Sequence, residues 1–288
     1  MPEDDMSDEP EIVLPSNPIT PTKLDLDNDF QFACHPGVSC FNKCCQSIDI
    51  QLTPYDILRL KARLGITARE FLFRYTVPFE MDGQGVPGLK LKTRDETTAC
   101  SFLTDEGCSV YSDRPTACRY YALGVVSMRK KDSPVDEDFY FVVKEEHCQG
   151  HAEPKTQTVR EYRQAQGVES YDELNREWRQ LVLKKRSCGP VVGKPSDRSL
   201  QLFFLASYDL DGLREFLQSP SFQEAYEIDA AMQEQLRTDD VALMQFGFRF
   251  LKHVLFGEKF LTEKPDALER RVARRRAREE AEQKAAGT

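Results

Sequence analysis

From residue 48 onward, apolar and polar positions alternate with periods that change along the chain. Ile48-Asp-Ile50-Gln-Leu52 alternates as a short strand does. Thr53-Pro54-Tyr55-Asp56 then carries the marks of a helix start: a hydroxyl cap, proline at the first helical position and an acid in the first turn. Ile57, Leu58, Leu60 and Leu64 supply its apolar stripe, and Gly65 ends it. A second helix is expected from a Thr67 cap through Phe71, Leu72 and Tyr75. Residues 81–99 read as a loop around a short Leu89-Lys-Leu91 strand. Val125-Val-Ser-Met128 and Phe139-Tyr-Phe-Val-Val143 predict a strand pair with a polar loop between them. From about residue 156 the period becomes helical, first over Thr158 to Gln166, then in a Ser170-capped helix with Leu174, Trp178, Leu181 and Leu183. Beyond a Gly/Pro-containing linker the helical period returns, with Leu202, Phe203, Leu205, Leu213, Phe216 and Leu217, and then from Val241 to Phe256. No internal repeat is visible.

These elements predict an α+β fold: a loop-rich Cys-cluster domain of short strands and helices, followed by an α-helical C-terminal part. The expected boundaries are a disordered acidic tail at 1–29, the cysteine-bearing domain at 30–155, a helical extension at 156–186, a linker at 187–197, a helical module at 198–262 and a charged helical tail at 263–288. The tail assignment rests on charge. Residues 1–29 hold nine acids against Lys23 alone, so nearly all of the net charge of −9 lies there. Five prolines and few large side chains after Leu14 leave this segment too little apolar surface to order itself. The acidic balance also makes broad nucleic-acid affinity unexpected, because a phosphate backbone selects Lys and Arg. Six arginines between Arg270 and Arg278 are interspersed with acids at both ends and read as a solvated helix face. No apolar run approaches the length of a membrane-spanning helix. The opening Met1-Pro-Glu-Asp-Asp is acidic where a secretory leader is basic and then apolar, which points to a cytoplasmic protein.

Candidate chemistry lies in the cysteines. Four of the nine (Cys34, Cys40, Cys44, Cys45) fall within twelve residues, followed by Cys100, Cys108, Cys118 and Cys148. Cys188 stands alone in the linker as an incidental thiol. In a chain without a secretion signal, such clustering indicates metal ligation rather than disulfides. Thiolates are soft ligands that select zinc, copper(I) or iron–sulfur centres, and eight of them could complete two four-ligand sites. Cys40 and Cys44, four apart, suit one site, whereas the side chains of adjacent Cys44 and Cys45 diverge in an extended loop and suit different metals, or one binds while the other packs or exchanges. Three histidines lie beside the set: His35 after Cys34, His147 before Cys148, and His151 in a Cys-x-x-His pair with Cys148. Each has a plainer reading as a partly exposed polar side chain. Arg114 and Arg119 flank Cys118, where a guanidinium could offset thiolate charge or serve a salt bridge beside a proline turn. Tyr120 and Tyr121 read as packing, the Phe246–Phe250 run as helix core, and His253 as a helix-surface residue.

The order Cys40-Phe-Asn-Lys-Cys44-Cys45, Leu52-Thr-Pro-Tyr-Asp-Ile57, Cys100-Ser-Phe-Leu103, Cys108-Ser-Val-Tyr111, Arg114-Pro115 with Cys118-Arg119, and Cys148-Gln-Gly150 resembles the YkgJ-type cysteine-cluster family. That family is described as zinc- or iron-chelating and often labelled Fe-S-cluster-containing. The resemblance covers about residues 30–155 and implies Cys40, Cys44, Cys45, Cys100, Cys108, Cys118 and Cys148 as the metal set. The family opens Cys-x2-Cys-x2-Cys-Cys, whereas this chain has Cys34-x5-Cys40-x3-Cys44-Cys45, so Cys34 joins the candidates through its place in the cluster alone.

The expectation is a metal-binding protein holding an iron–sulfur or zinc centre with a role in redox or metal handling. One alternative is a non-enzymatic module stapled by structural zinc, whose helical C-terminal part binds a protein partner. Another is an iron–sulfur-dependent protein-modifying enzyme. For catalytic zinc the only carboxylates beside a candidate ligand are Glu145 and Glu146, next to His147-Cys148.

Overall fold

The computed structural model describes residues 23–83, 85–129, 136–187, 195–270, 272–274 and 276–277. It is an α+β protein, as the periodicities predict. Helices α1 (Pro54–Leu64) and α2 (Ala68–Tyr75) occupy the two stretches marked by Thr53 and Thr67, and both hydroxyls accept backbone N–H groups as caps. Strands β1 (Asp29–Gln31), β2 (Gln51–Leu52), β3 (Thr76–Glu80), β4 (Pro87–Leu91), β5 (Leu103–Thr104), β6 (Gly107–Cys108), β7 (Leu123–Arg129) and β8 (Asp136–Val142) are all short. The five-residue helix α3 (Thr116–Tyr120) lies between β6 and β7. After β9 (Thr156–Thr158) come α4 (Val159–Gln166) and α5 (Glu169–Ser187), then α6 (Asp197–Tyr208), α7 (Leu210–Gln218), α8 (Pro220–Gln223), α9 (Ala230–Thr238) and α10 (Asp240–Phe256). A last pair, β10 (Tyr226–Glu227) with β11 (Thr262–Glu263), is antiparallel.

The described chain divides into two compact units. One comprises the residues up to Phe41 with Tyr121–Tyr162; the other comprises Asn42–Tyr120 and the residues from Arg163 on. This division cuts across the boundaries expected at 155 and 197. In the first unit the predicted hairpin forms as β7–β8, with Val126 opposite Phe139, and β1 pairs with β9. Leu24 exchanges backbone hydrogen bonds with Tyr140, and Asp27 pairs with Arg160 at 2.8 Å. Residues 23–29 thus differ from the solvated tail expected there, because Leu24 and β1 give them a strand edge to join. Residues 1–22 of that tail lie outside the described residues, as do residues 188–194 of the linker, with Cys188.

The second unit is built around one apolar core. Its three-stranded sheet has the order β2-β4-β3, all antiparallel. Ile57 and Leu60 of α1, Phe71 of α2 and Leu89 of β4 are buried together with Leu181, Leu213, Leu243, Phe248 and Leu251 of the later helices. The apolar stripes of the helices after 197 add to the core begun by α1 and α2. Close approach is enforced at Gly247 of α10, where a Cβ would stand 2.7 Å from the Ala206 carbonyl oxygen of α6. Lys61 of α1 pairs with Asp240, which Arg214 of α7 also holds at 2.5 Å. The Phe246, Phe248 and Phe250 run is buried helix core as expected. Helix α5 begins one residue before Ser170, so that serine lies in the first turn instead of capping it. Helical turns occur between residues 267 and 277; positions 271, 275 and 278–288 of the charged tail lie outside the described residues.

Candidate metal centre

Five of the eight candidate cysteines belong to the second unit, and four short pieces of chain deliver them. Asn42 adopts the left-handed conformation (φ 67°), which asparagine tolerates better than most residues, and starts the single 3-10 turn Lys43–Cys45. That turn, rather than an extended loop, carries Cys44 and Cys45 and brings their sulfurs to 3.9 Å. The divergence expected of neighbouring side chains is thereby corrected. A tetrahedral zinc with Zn–S bonds of about 2.3 Å spaces its sulfurs by about 3.8 Å, so this pair has the spacing of two ligands on one ion.

Cys100 is tied to the same turn, since its backbone N–H donates to the Cys45 carbonyl at 2.8 Å. Next comes the β5–β6 hairpin, in which Leu103 faces Cys108. Gly107 has φ 125°, a backbone region that only glycine adopts readily, which lets the turn close within two residues of the thiol. Cys118 rides on α3. All eight candidates are thiols, with no disulfide among them.

Burial and mutual charge dominate the electrostatics. Cys45 is raised well above the ordinary thiol range, first by its contact with Cys44, then by burial and by the charges of Cys44, Cys118 and Cys100. Burial also pushes Cys118 up, and the charges of Cys100, Asp56, Cys108 and Cys44 push it further. Cys100 and Cys108 are raised mainly by burial as well, Cys100 also by the Cys108 charge and Cys108 by that of Cys44. Every one of the five thus lies within electrostatic reach of others in the set.

Opposing groups act at the sulfurs. The Phe102 N–H donates to Cys100 Sγ at 3.4 Å, and the Val110 N–H bonds to Cys108. Arg94 and Arg114 add positive charge toward Cys100 and Cys108 respectively. Backbone N–H groups aimed at sulfur favour the thiolate over the thiol. A soft cation would relieve the remaining repulsion, so the donor chemistry fits a zinc or iron centre. Among the described residues, no three Cys, His, Asp or Glu side chains converge on one point. The five thiols are gathered but not closed around an ion.

The first unit holds Cys34, Cys40 and Cys148. Cys34 is exposed, while Cys40 is buried and accepts the Gln149 N–H at 3.1 Å. The Tyr121 hydroxyl contacts Cys148 and donates to Glu145 at 2.8 Å; burial and these two neighbours push its pKa up. The histidines are engaged elsewhere. His35 accepts the Gly37 N–H and meets Glu153 at 3.3 Å, His147 meets Glu145 at 3.5 Å, and the two ring nitrogens of His151 face the carbonyls of Gln31 and Val143.

The arginines flanking Cys118 resolve differently from one another. Arg119 is buried and donates to the carbonyls of Ser112, Arg114 and Gln166 and to the Tyr171 hydroxyl, so it braces backbone instead of facing a carboxylate. Arg114 bonds the Tyr111 carbonyl and Gln166, and its charge still reaches Cys108. Two contributors escaped the sequence reading. Asn42 gave no periodic signal, and Asp56 read only as a first-turn acid, although its carboxylate also receives Thr116 of α3.

Residues 33–149 match the model of the CxxCxxCC family, described as "Putative zinc- or iron-chelating domain". The matched span contains all eight candidate cysteines. No curated protein and no solved structure matches the chain.

Proposed function

With a zinc- or iron-chelating domain of the CxxCxxCC type at residues 33–149, we propose that this protein holds a zinc ion or an iron–sulfur cluster on the thiols of Cys44, Cys45, Cys100, Cys108 and Cys118. The bound centre fixes the pieces of chain that carry them. The observation that carries this reading is the 3.9 Å approach of the Cys44 and Cys45 sulfurs, with Cys100 tied to the same turn and Cys108 and Cys118 within electrostatic reach, beside one apolar core. The pieces are a three-residue turn, the segment at Cys100, a two-stranded hairpin of two residues each and a five-residue helix, all too short to hold their own geometry. Metal binding at such a place contributes directly to folding free energy. The clustering of the cysteines for metal ligation supports a cytoplasmic setting.

A second reading, redox service by an iron–sulfur cluster, is favoured by the all-sulfur donor set of this unit and by the N–H groups aimed at Cys100 and Cys108, which tune a cluster's potential. Anaerobic purification of the full chain, with iron, zinc and acid-labile sulfide measured together, decides between them. Stoichiometric zinc on a colourless protein supports the fixing role. Iron with matching sulfide and visible absorption supports the cluster, and a reductive titration then reads its redox activity. A chain that contains neither metal and takes up neither overturns both readings.

A further inference from the structure

The geometry points to Asp56 as the positioning residue of this centre, a single buried carboxylate that joins α1 to α3 and thereby sets the place of Cys118. The inference rests on the reading that the five thiols of this unit hold a metal. Asp56 is 0% exposed, and among the described residues no cation pairs with it. Oδ2 accepts the Thr53 N–H at 2.8 Å, while the Asp56 N–H returns to Thr53 Oγ1 at 3.2 Å, closing the capping box of α1. Oδ1 turns the other way. It accepts both the N–H of Thr116, at 2.8 Å, and its hydroxyl, at 2.7 Å, and Thr116 is the first residue of α3.

Cys118 lies two residues further along a helix of only five, which cannot persist on its own hydrogen bonds. The other end of α3 is also held. Arg119 is bound to the surrounding carbonyls, and the Tyr120 hydroxyl donates to Asp172 of α5. Between these two anchors the Cys118 backbone has one place to be, and Asp56 supplies the anchor on the N-terminal side. The task requires a carboxylate: three donors from two chain segments arrive at two oxygens, and an amide would turn its own NH2 group toward one of those donors. A buried carboxylate without a counter-charge disfavours folding. Here it organises a ligand from the layer behind it, a role whose loss elsewhere weakens metal affinity by about 10–100-fold.

The test uses three full-length variants, Asp56→Asn, Thr116→Val and Thr53→Ala, each titrated anaerobically with Co2+ and followed by thiolate-to-cobalt charge-transfer absorption, with thermal unfolding alongside. Asp56→Asn should weaken cobalt binding toward about 100-fold, and Thr116→Val about 10-fold, both with an altered charge-transfer spectrum. Thr53→Ala disturbs only the α1 arm; it should lower the melting temperature while affinity and spectrum stay at wild-type values. Should Asp56→Asn fail to fold, the contrast between the two threonine variants carries the decision. Wild-type affinity and spectrum in Thr116→Val, or equal cobalt loss in both threonine variants, overturns the positioning role alone. A wild-type chain that takes up no cobalt overturns the metal reading and this inference with it.

Discussion

Cys118 and Cys34 share a residue type and the same matched domain, yet their surroundings have little in common. Cys118, like Cys44, Cys45, Cys100 and Cys108, belongs to a unit whose apolar core runs from α1 through α10, and the five thiols crowd one another at its margin. Cys34, Cys40 and Cys148 belong to a unit with a small aromatic core, where Phe30, Phe32, Tyr121 and Tyr162 meet edge to face. In that unit each cysteine has a different environment: one is exposed, one buried under a backbone N–H, and one beside a tyrosine and a glutamate. The difference teaches that clustering in sequence is not one environment in space. A thiol becomes a persuasive ligand when burial and like neighbours make its lone ionised state costly, because a cation then relieves a cost already present.

The sharpest way to break this comparison is to remove one sulfur from each side. Cys118→Ser should lose most of the bound metal, to below about a tenth of wild type, together with soluble yield. Cys34→Ser should keep its metal, since the lost side chain is exposed. Elemental analysis of both variants decides it. Equal metal in the two would remove Cys118 from the centre and erase the distinction between the units.

A second test asks whether the thiols depend on the core behind them. Phe248 of α10 is 0% exposed. Phe248→Ala should lower stability by about 3–5 kcal/mol, read by chemical denaturation. If the helices after 197 share one core with the cysteine-bearing segment, metal release and unfolding should coincide at the lowered midpoint. Metal retained through the unfolding of α10 would separate the two.

Those same helices show how far the chain's pattern could be read. α1 and α2 were legible to the residue at their starts, because Thr53, Pro54 and Thr67 act locally through hydroxyl caps and a fixed proline φ. The β7–β8 hairpin was legible from alternation, and the buried Phe246–Phe250 run from its helical period. What stayed hidden is non-local. The pairing of β1 with β9 joins residues more than a hundred positions apart, and two-residue strands such as β5 and β6 carry no period at all. The extent of the core stayed hidden for the same reason: it recruits Leu60 and Leu243 together, and no composition break announces it. At the site, the cysteines named themselves by density. The pairing of Cys44 with Cys45 depended on the left-handed Asn42 that starts their turn, and Asp56 depended on where α3 would come to lie.

Acidity sharpens the comparison on the thiol side. Burial and neighbouring thiolates raise Cys45, Cys100, Cys108 and Cys118 above the ordinary value of about 8.5. Without metal they stay protonated through neutral pH, and a metal ion must displace those protons. Apparent affinity should therefore rise by at least about 10-fold per pH unit between about pH 6 and 8.5, and metal should leave on acidification. The metal-free fold carries the opposite sign. Its thiols are raised relative to the unfolded chain, so their contribution is present below about pH 8.5 and lost as pH rises. Chelator competition across that range, with melting curves of metal-free and loaded protein, checks both signs. A flat affinity profile would mean the thiols are already ionised before metal arrives.

The smallest effect is expected at His151, the histidine whose Cys-x-x-His spacing most invites a ligand role. Its ring lies 5.1 Å from that of Phe32, with Nε2 3.0 Å from the Val143 carbonyl oxygen and Nδ1 3.4 Å from that of Gln31. A carbonyl offers lone pairs and no proton, so a ring nitrogen that bonds one does so through its N–H. The imidazole is thereby spent on tying the backbone near β1 to that after β8. His151→Ala should accordingly keep full metal content and lower stability by about 1 kcal/mol, the net worth of one ordinary hydrogen bond. Zinc and iron analysis beside a denaturation curve reads both quantities. Loss of metal without loss of stability would give the first unit a nitrogen ligand and make its thiols something other than bystanders.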